Sequence, residues 1–141
     1  MILFFMVQIR NYQVSDYLQV REILEMGHLY WEISDNEQAL ERKIQQHPDS
    51  IMVAVEGERV VGTQFIVDDF LPLMFRLAVH PEHRGKGIGK ELMQRGEDVL
   101  KMRGHNHVSI LVASDDTALQ GYYERQGYSK GNNYTWMVKG L

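Results

Sequence analysis

Between a strand-like run ending at Val79 and an amphipathic run beginning at Ile88 lies His83-Arg84-Gly85-Lys86-Gly87-Ile88-Gly89-Lys90. Glycines at 85, 87 and 89 let the backbone approach a ligand without Cβ clashes. The first N–H groups of a helix have no partner inside it. They also sit at the positive end of the helix dipole. Together these features make an anion site suited to phosphate. Arg84, Lys86 and Lys90 add local positive charge to a chain whose formal net charge is −4. A glycine turn with solvated charges is the plainer alternative.

Other phosphate motifs fail on spacing. A P-loop requires G-x-x-x-x-G-K-[ST]. Here Gly89-Lys90 is followed by Glu91, and Arg84 stands at the first glycine position. A dinucleotide fingerprint requires G-x-G-x-x-G. Its third glycine comes one residue early here, at Gly89. His80 and His83, and His105 and His107, are short-spaced pairs without the further ligands of a metal centre. They read as loop histidines, and no metal is expected. The absence of cysteine excludes disulfides, thiolate sites and a cysteine nucleophile.

The elements that must hold the loop follow from periodicity. Val7 to Tyr12 alternates as a strand. Ser15 and Asp16 are good caps for a helix whose face would carry Leu18, Ile23, Leu24 and Met26. A second helix is expected from about Asn36 to Gln46, stopped by His47-Pro48. Ile51 to Val55 and Val60 to Val67 read as a hairpin around Glu56-Gly57-Glu58-Arg59, with Gly62 marking a bulge. Leu73 to Val79 is a strand ended by His80-Pro81. Ile88, Leu92, Met93, Val99 and Leu100 share one face of a long helix that stops at Gly104. Val108 to Val112 is a short buried strand. Asp115 or Asp116 caps a last helix closed by Gly127, and Tyr134 to Val138 forms a final strand. The order predicts an α/β or α+β fold: a mixed, mostly antiparallel sheet of about six to seven strands flanked by about four helices.

The 141 residues favour a single domain spanning 1–141. A composition of 44% hydrophobic and 24% charged residues suits a globular protein with an ordinary core. The acidic balance argues against a nucleic-acid surface. The apolar start, Met1 to Val7, is too short to span a bilayer. It lacks a basic leader, so it reads as an edge strand or an extension, with Met1 and Met6 both open as the start. These features and the missing cysteines lead to an expectation of a cytoplasmic protein with no membrane partner.

Leu77-Ala78-Val79-His80-Pro81-Glu82-His83-Arg84-Gly85-Lys86-Gly87-Ile88-Gly89 resembles the signature segment of the GNAT-superfamily N-acetyltransferases. Its pattern [QR]-x-x-G-x-[GA] is met by Arg84, Gly87 and Gly89. Asp116 to Tyr128 resembles the family's N-x-x-A-x-x-[FL]-Y-x-x-x-G-[FY], matched at Tyr123, Gly127 and Tyr128. Two segments in the right order are more specific than either alone.

The resemblance implies a strand splayed from its neighbour before the loop, with backbone groups of Leu77, Ala78 and Val79 free to hold pantetheine. It implies that Arg84, Gly85, Lys86, Gly87, Ile88, Gly89 and Lys90 hold the pyrophosphate of acetyl-CoA. An N–H near Leu77 would polarise the thioester carbonyl. An amine of a small molecule or a protein would take the acetyl group in a ternary complex, and Tyr123 would protonate the leaving thiolate while also touching the cosubstrate.

Several residues depart from the family pattern, Leu119 in place of its Ala among them. Asp116 replaces its Asn and cannot donate an amide hydrogen bond to pantetheine. Phe75 stands where many members carry a glutamate base. Glu32, Asp68, Asp69, His28 or a water chain remain as alternatives for the base. Leu29-Tyr30-Trp31 is expected either to line the acceptor pocket or to pack in the core. The rival readings are a non-catalytic acyl-CoA-binding module and a nucleotide-binding protein. Monomer and homodimer are both open.

Overall fold

The computed structural model describes residues 7–69 and 71–141. They fall into two compact units, one ending at Ile110 and one running from Leu111 to Leu141. The expectation for the segment before Val7 lies outside the described residues.

The first unit is built on a five-stranded sheet in the order β1-β2-β3-β4-β5. Its strands are β1 (Val7–Asn11), β2 (Ile51–Glu56), β3 (Arg59–Val67), β4 (Leu73–Val79) and β5 (Ser109–Ile110). The first four pair antiparallel in succession, and β4 pairs with β5 in parallel. Four helices accompany the sheet: α1 (Tyr17–Met26), α2 (Glu32–Asp35), α3 (Glu37–Gln46) and α4 (Ile88–Met102). The second unit contains α5 (Thr117–Arg125).

Local chemistry explains most of these boundaries. Asn36 caps α3 by accepting the Ala39 N–H at 2.9 Å. Gly57 takes φ +64° in the two-residue turn of the β2–β3 hairpin, where Glu56 faces Arg59. The register shift opposite Ala54 and Val55 falls beside Gly62, so the bulge expected there is present. A Cβ on Gly62 would meet Leu92, Ile88 and the Ala78 carbonyl at 3.1–3.3 Å. Gly62 thus lets α4 lie close to β3. Gly104 ends α4 just beyond its C-cap at φ +93°.

The central strands are buried on both faces, which explains their continuous apolar runs. One core cluster joins Tyr17, Val20 and Leu24 of α1 and Leu40 of α3 to Ile51, Val53 and Phe65 of the sheet. On α4, Ile88, Leu92, Met93, Val99 and Leu100 are buried, as their spacing requires. Buried Gln64 ties β3 to this helix through an Nε2–H donated to the Leu92 carbonyl at 2.7 Å.

Several expectations need correction. The sheet has five strands among the described residues, not six to seven. Residues 134–138 adopt no strand, and Tyr134, Trp136, Met137 and Val138 are exposed. An apolar run becomes a strand only where a neighbouring edge takes its backbone groups. The strand expected over 108–112 is cut to Ser109 and Ile110 for the same reason, since only these two residues pair with β4. Among the described residues there are five α-helices rather than about four, because α2 adds a single turn before α3. On α1, Leu18 is 77% exposed and Met26 39%, while Tyr17 and Val20 take the inward places. Asp16 does not cap α1 with its side chain; its carboxylate accepts from Gln13 N–H and from Arg10.

Candidate functional site

β4 parts from its neighbour after two residues. Leu73 and Met74 pair with Ser109 and Ile110, and from Phe75 onward β5 offers no partner. The other edge of β4 is interrupted as well. Phe65 faces Phe75 and Thr63 faces Ala78, so Arg76 and Leu77 together oppose Gln64. This bulge bends the strand. Arg76 stands at its start with φ +55°, a conformation rarely taken by a side-chain-bearing residue. Arg76 Nε donates to both oxygens of Asp35, at 3.1 and 3.3 Å. Asp35 is 1% exposed, and it also accepts the Trp31 N–H at 2.8 Å. A buried carboxylate of α2 therefore holds the bulge of β4.

The glycine loop follows. Pro81–His83 forms one 3-10 turn, capped by His80 Nδ1 accepting from Glu82 N–H at 3.2 Å. Arg84 is extended, and its Nε donates back to the Val79 carbonyl at 3.1 Å. Gly85 and Gly87 take φ +79° and +82°, where a Cβ would be strained. Gly87 is the N-cap of α4, and no side chain caps the helix. The N–H groups of the first turn are free of side-chain partners, whereas those of α3 and α5 receive Asn36 and Asp116. Arg84, Gly85, Lys86, Gly87 and Lys90 are exposed, and Ile88 anchors the turn in the core. The arrangement can bind a phosphate-bearing ligand.

In the second unit, Asp116 caps α5 by accepting the Leu119 N–H at 3.0 Å. Its carboxylate is thereby engaged within the helix. Tyr123 is half-buried between Tyr122 and Tyr128, at ring-centroid distances of 5.3 and 5.9 Å. Burial, followed by the nearby Tyr122, pushes its hydroxyl above the ordinary tyrosine range. It stays protonated at neutral pH, as a general acid must. Thus β4 and residues 84–90 share the first unit, and Asp116 and Tyr123 share the second.

The base candidates are scattered. Glu32 accepts a hydrogen bond from Tyr30, whose hydroxyl also meets Tyr17 at 3.0 Å. Burial works against ionisation of Asp68, but hydrogen bonds from Arg103 and His105 prevail and hold its carboxyl below the usual range. That makes Asp68 a weak base. His28 is exposed, at φ +56° just beyond α1. Leu29 and Tyr30 pack against the core cluster, which favours the core reading for that segment.

Among the described residues, two groups bring possible metal-ligand atoms within 4.8 Å of one another: His80, Glu82 and His83, and His47, Asp68 and Asp69. In the first, both His80 nitrogens face donors, Arg59 Nη2 at 2.9 Å and Glu82 N–H. In the second, Asp68 is bound by Arg103 and His105. In each group, one of the three residues already has its ligand atoms engaged.

Sequence reasoning missed the Asp35–Arg76 pair and the surroundings of Phe75. Phe75 packs edge-on against Phe65 at 5.5 Å, and Lys43 Nζ lies 5.3 Å from its ring centroid. No local motif could reveal either, because the partners come from separate elements.

A mixed sheet with a strand that leaves its neighbour just before a glycine turn into a helix is the architecture of acyl-CoA-dependent acetyltransferases. Residues 9–128 match the model described as Acetyltransferase (GNAT) family, and the chain belongs to that family. It is 31% identical over 136 residues to acetyltransferase SG1711 of Sodalis glossinidius, covering 96% of each chain. It is 33% identical over 123 residues to acetyltransferase ECA0875 of Pectobacterium atrosepticum, covering 86% of this chain and 87% of the relative. Its fold is similar to that of the PaiA N-acetyltransferase of Thermoplasma acidophilum solved with coenzyme A, with a TM-score of 0.78, 18% identity and coverage of 92% and 93%. Ard1 of Thermoplasma volcanium is similar at a TM-score of 0.76, with 19% identity and coverage of 89% and 84%. The chain is therefore an acetyltransferase, and its family supports acetyl-CoA as the donor. No helix among the described residues is long and apolar enough to cross a membrane.

Proposed function

We propose that this protein is an N-acetyltransferase that moves the acetyl group of acetyl-CoA directly to a primary amine in a ternary complex. Residues 1–141 form its one catalytic domain, a reading supported by a family match that runs through both compact units. The observation that carries the proposal is the sequence of features along β4 and α4. A strand edge without a β5 partner after Met74 runs into a helix whose first-turn N–H groups no side chain caps.

Leu77, Ala78 and Val79 present the backbone that holds pantetheine. Because Arg84 engages the Val79 carbonyl, the remaining groups of this strand carry that role. The N–H groups from Arg84 to Lys90 hold the pyrophosphate. A backbone N–H at the bulge, near Leu77, stabilises the charge that develops on the thioester oxygen.

The amine nitrogen bonds to the carbonyl carbon, and the carbon–sulfur bond breaks. Tyr123 gives its proton to the departing thiolate, and the proton lost by the nitrogen passes through water back to the Tyr123 oxygen and restores the hydroxyl. The products are an amide and CoA thiol. Water is the chosen route because Phe75 supplies no carboxylate and Asp68 is held by Arg103 and His105.

Phe75 also favours a second reading, a non-catalytic acyl-CoA-binding module. One experiment separates the two. Acetyl-CoA raises the melting temperature in both cases. Only the enzyme releases CoA thiol when given a panel of amines. A melting temperature that responds to ATP or NAD but to no CoA ester would sink both readings.

A further inference from the structure

A cavity of about 340 Å³ opens beside Phe75, lined by Asp35 of α2, by Arg42, Lys43 and Gln46 of α3, and by Phe65 and Phe75 of the sheet. That volume lies at the small end of ligand pockets, roughly 300–1,000 Å³. Phe75 is two residues before Leu77, so across the bulge the two lie at most about 7 Å apart along the chain. The cavity therefore lies within reach of a small molecule whose other end meets the acetyl group.

Its charges decide what it can take. Asp35 is the one carboxylate in the lining, and both its oxygens are held by Arg76 Nε, with Trp31 N–H added. Arg42 and Lys43 take part in no ion pair among the described residues. The carboxylates that act on Lys43 from a distance are Asp69 and Asp68, and Asp68 is bound to Arg103 and His105. Asp69 attracts Lys43 from beyond ion-pair distance, so the cavity presents two cations without an ion-pair partner, Lys43 lying beside the Phe75 ring. Burial pushes the Lys43 ammonium down, and an anion brought beside it would offset that desolvation.

We propose that this cavity is the acceptor site, and that the acceptor is a small amine carrying an anionic group, held by Arg42 and Lys43. The inference rests on the acetyl-transfer reading above. The shared chemistry is a carboxylate or a phosphate on the same molecule as the amine. The acidic residues of the sequence do not favour a cationic acceptor here, because Asp35 is already neutralised within the fold.

The test is calorimetric titration of the CoA-loaded protein with matched amines. 2-Aminoethyl phosphate and β-alanine are the anionic probes, and ethanolamine and 1,4-diaminobutane are the neutral-tailed and doubly cationic ones. At least one anionic probe binds tenfold or more tighter than ethanolamine, and the two anionic arms show which group is preferred. The double variant Arg42→Gln/Lys43→Gln loses the preference while keeping its melting temperature and CoA affinity, and Lys43→Arg keeps the preference. The proposal is overturned if neither anionic probe binds, if ethanolamine or diaminobutane binds tighter, or if the double variant retains the preference. Thiol release with acetyl-CoA and the same probes keeps the two readings apart. Selective binding without thiol release refutes the transfer reading alone; thiol release from amines lacking an anionic group refutes the acceptor class alone.

Discussion

Asp35 and Arg76 lie 41 residues apart and meet at 3.1 Å, so that a carboxylate on α2 holds the strained start of the β4 bulge. Removing Arg76 leaves Asp35 buried with the Trp31 N–H as its remaining donor. Breaking one side of a buried pair costs about 3–5 kcal/mol. Arg76→Ala is expected to destabilise by about 3 kcal/mol in urea unfolding. Arg76→Gly loses the same pair but accepts φ +55° without Cβ strain, and should recover ~1 kcal/mol of that loss. Equal stability of the two variants would show that the bulge stores no strain.

Gly87 begins α4 at φ +82° with open space where a Cβ would point. Gly87→Ala therefore acts through backbone strain, about 1–2 kcal/mol, and not through a clash. Relief of that strain would turn the first-turn N–H groups away from the pyrophosphate. Acetyl-CoA affinity by calorimetry should fall about tenfold, the equivalent of ~1.4 kcal/mol. Wild-type affinity in this variant would remove the loop from the cosubstrate site.

Gly96 sits in mid-helix, where alanine would ordinarily gain about 1 kcal/mol. Here its Cβ would lie 2.5 Å from Gln64 Nε2 and 2.7 Å from Met74 Sδ. The clash also disturbs the Gln64 bond to the Leu92 carbonyl. Gly96→Ala is expected to destabilise by about 1–3 kcal/mol, read as a lower melting temperature.

Tyr123→Phe should lower kcat by roughly 10²-fold, the scale of a lost general acid, with acetyl-CoA affinity nearly unchanged. The hydroxyl is held above the ordinary tyrosine range, so its deprotonation does not limit activity until pH exceeds about 10. An unaltered kcat by thiol release would assign the proton to another donor.

Asp16 links β1 to the start of α1. Burial works against its ionised form, but the hydrogen bonds from Arg10, at 2.7 and 2.9 Å, and from Gln13 N–H prevail and hold its carboxyl below the usual range. Its folded value is the lower one. The stabilisation is therefore present above an unfolded value of about 3.9 and is lost as pH falls through the folded one. Asp16→Asn should flatten the acid limb of the stability curve below about pH 4, as measured by urea unfolding across pH.

What the amino-acid sequence determined by itself is local. Turn glycines, helix caps and apolar periodicity act over a few residues, so the Gly57 hairpin, the Asp116 cap, the span of α3, the α4 face and the glycine loop were all legible. The two family segments were legible for the same reason, being short runs with fixed spacing. Tertiary structure alone decided features that need a distant partner. Residues 134–138 have the apolar and aromatic make-up of a strand but none of the pairing that makes one, and 108–112 keeps only the two residues that β4 meets. The charge of Asp35 is answered by Arg76 of another element, which its place in the sequence does not reveal. Net charge is a property of composition, but the field inside a cavity depends on which charges the fold leaves without an ion-pair partner, and here those are Arg42 and Lys43.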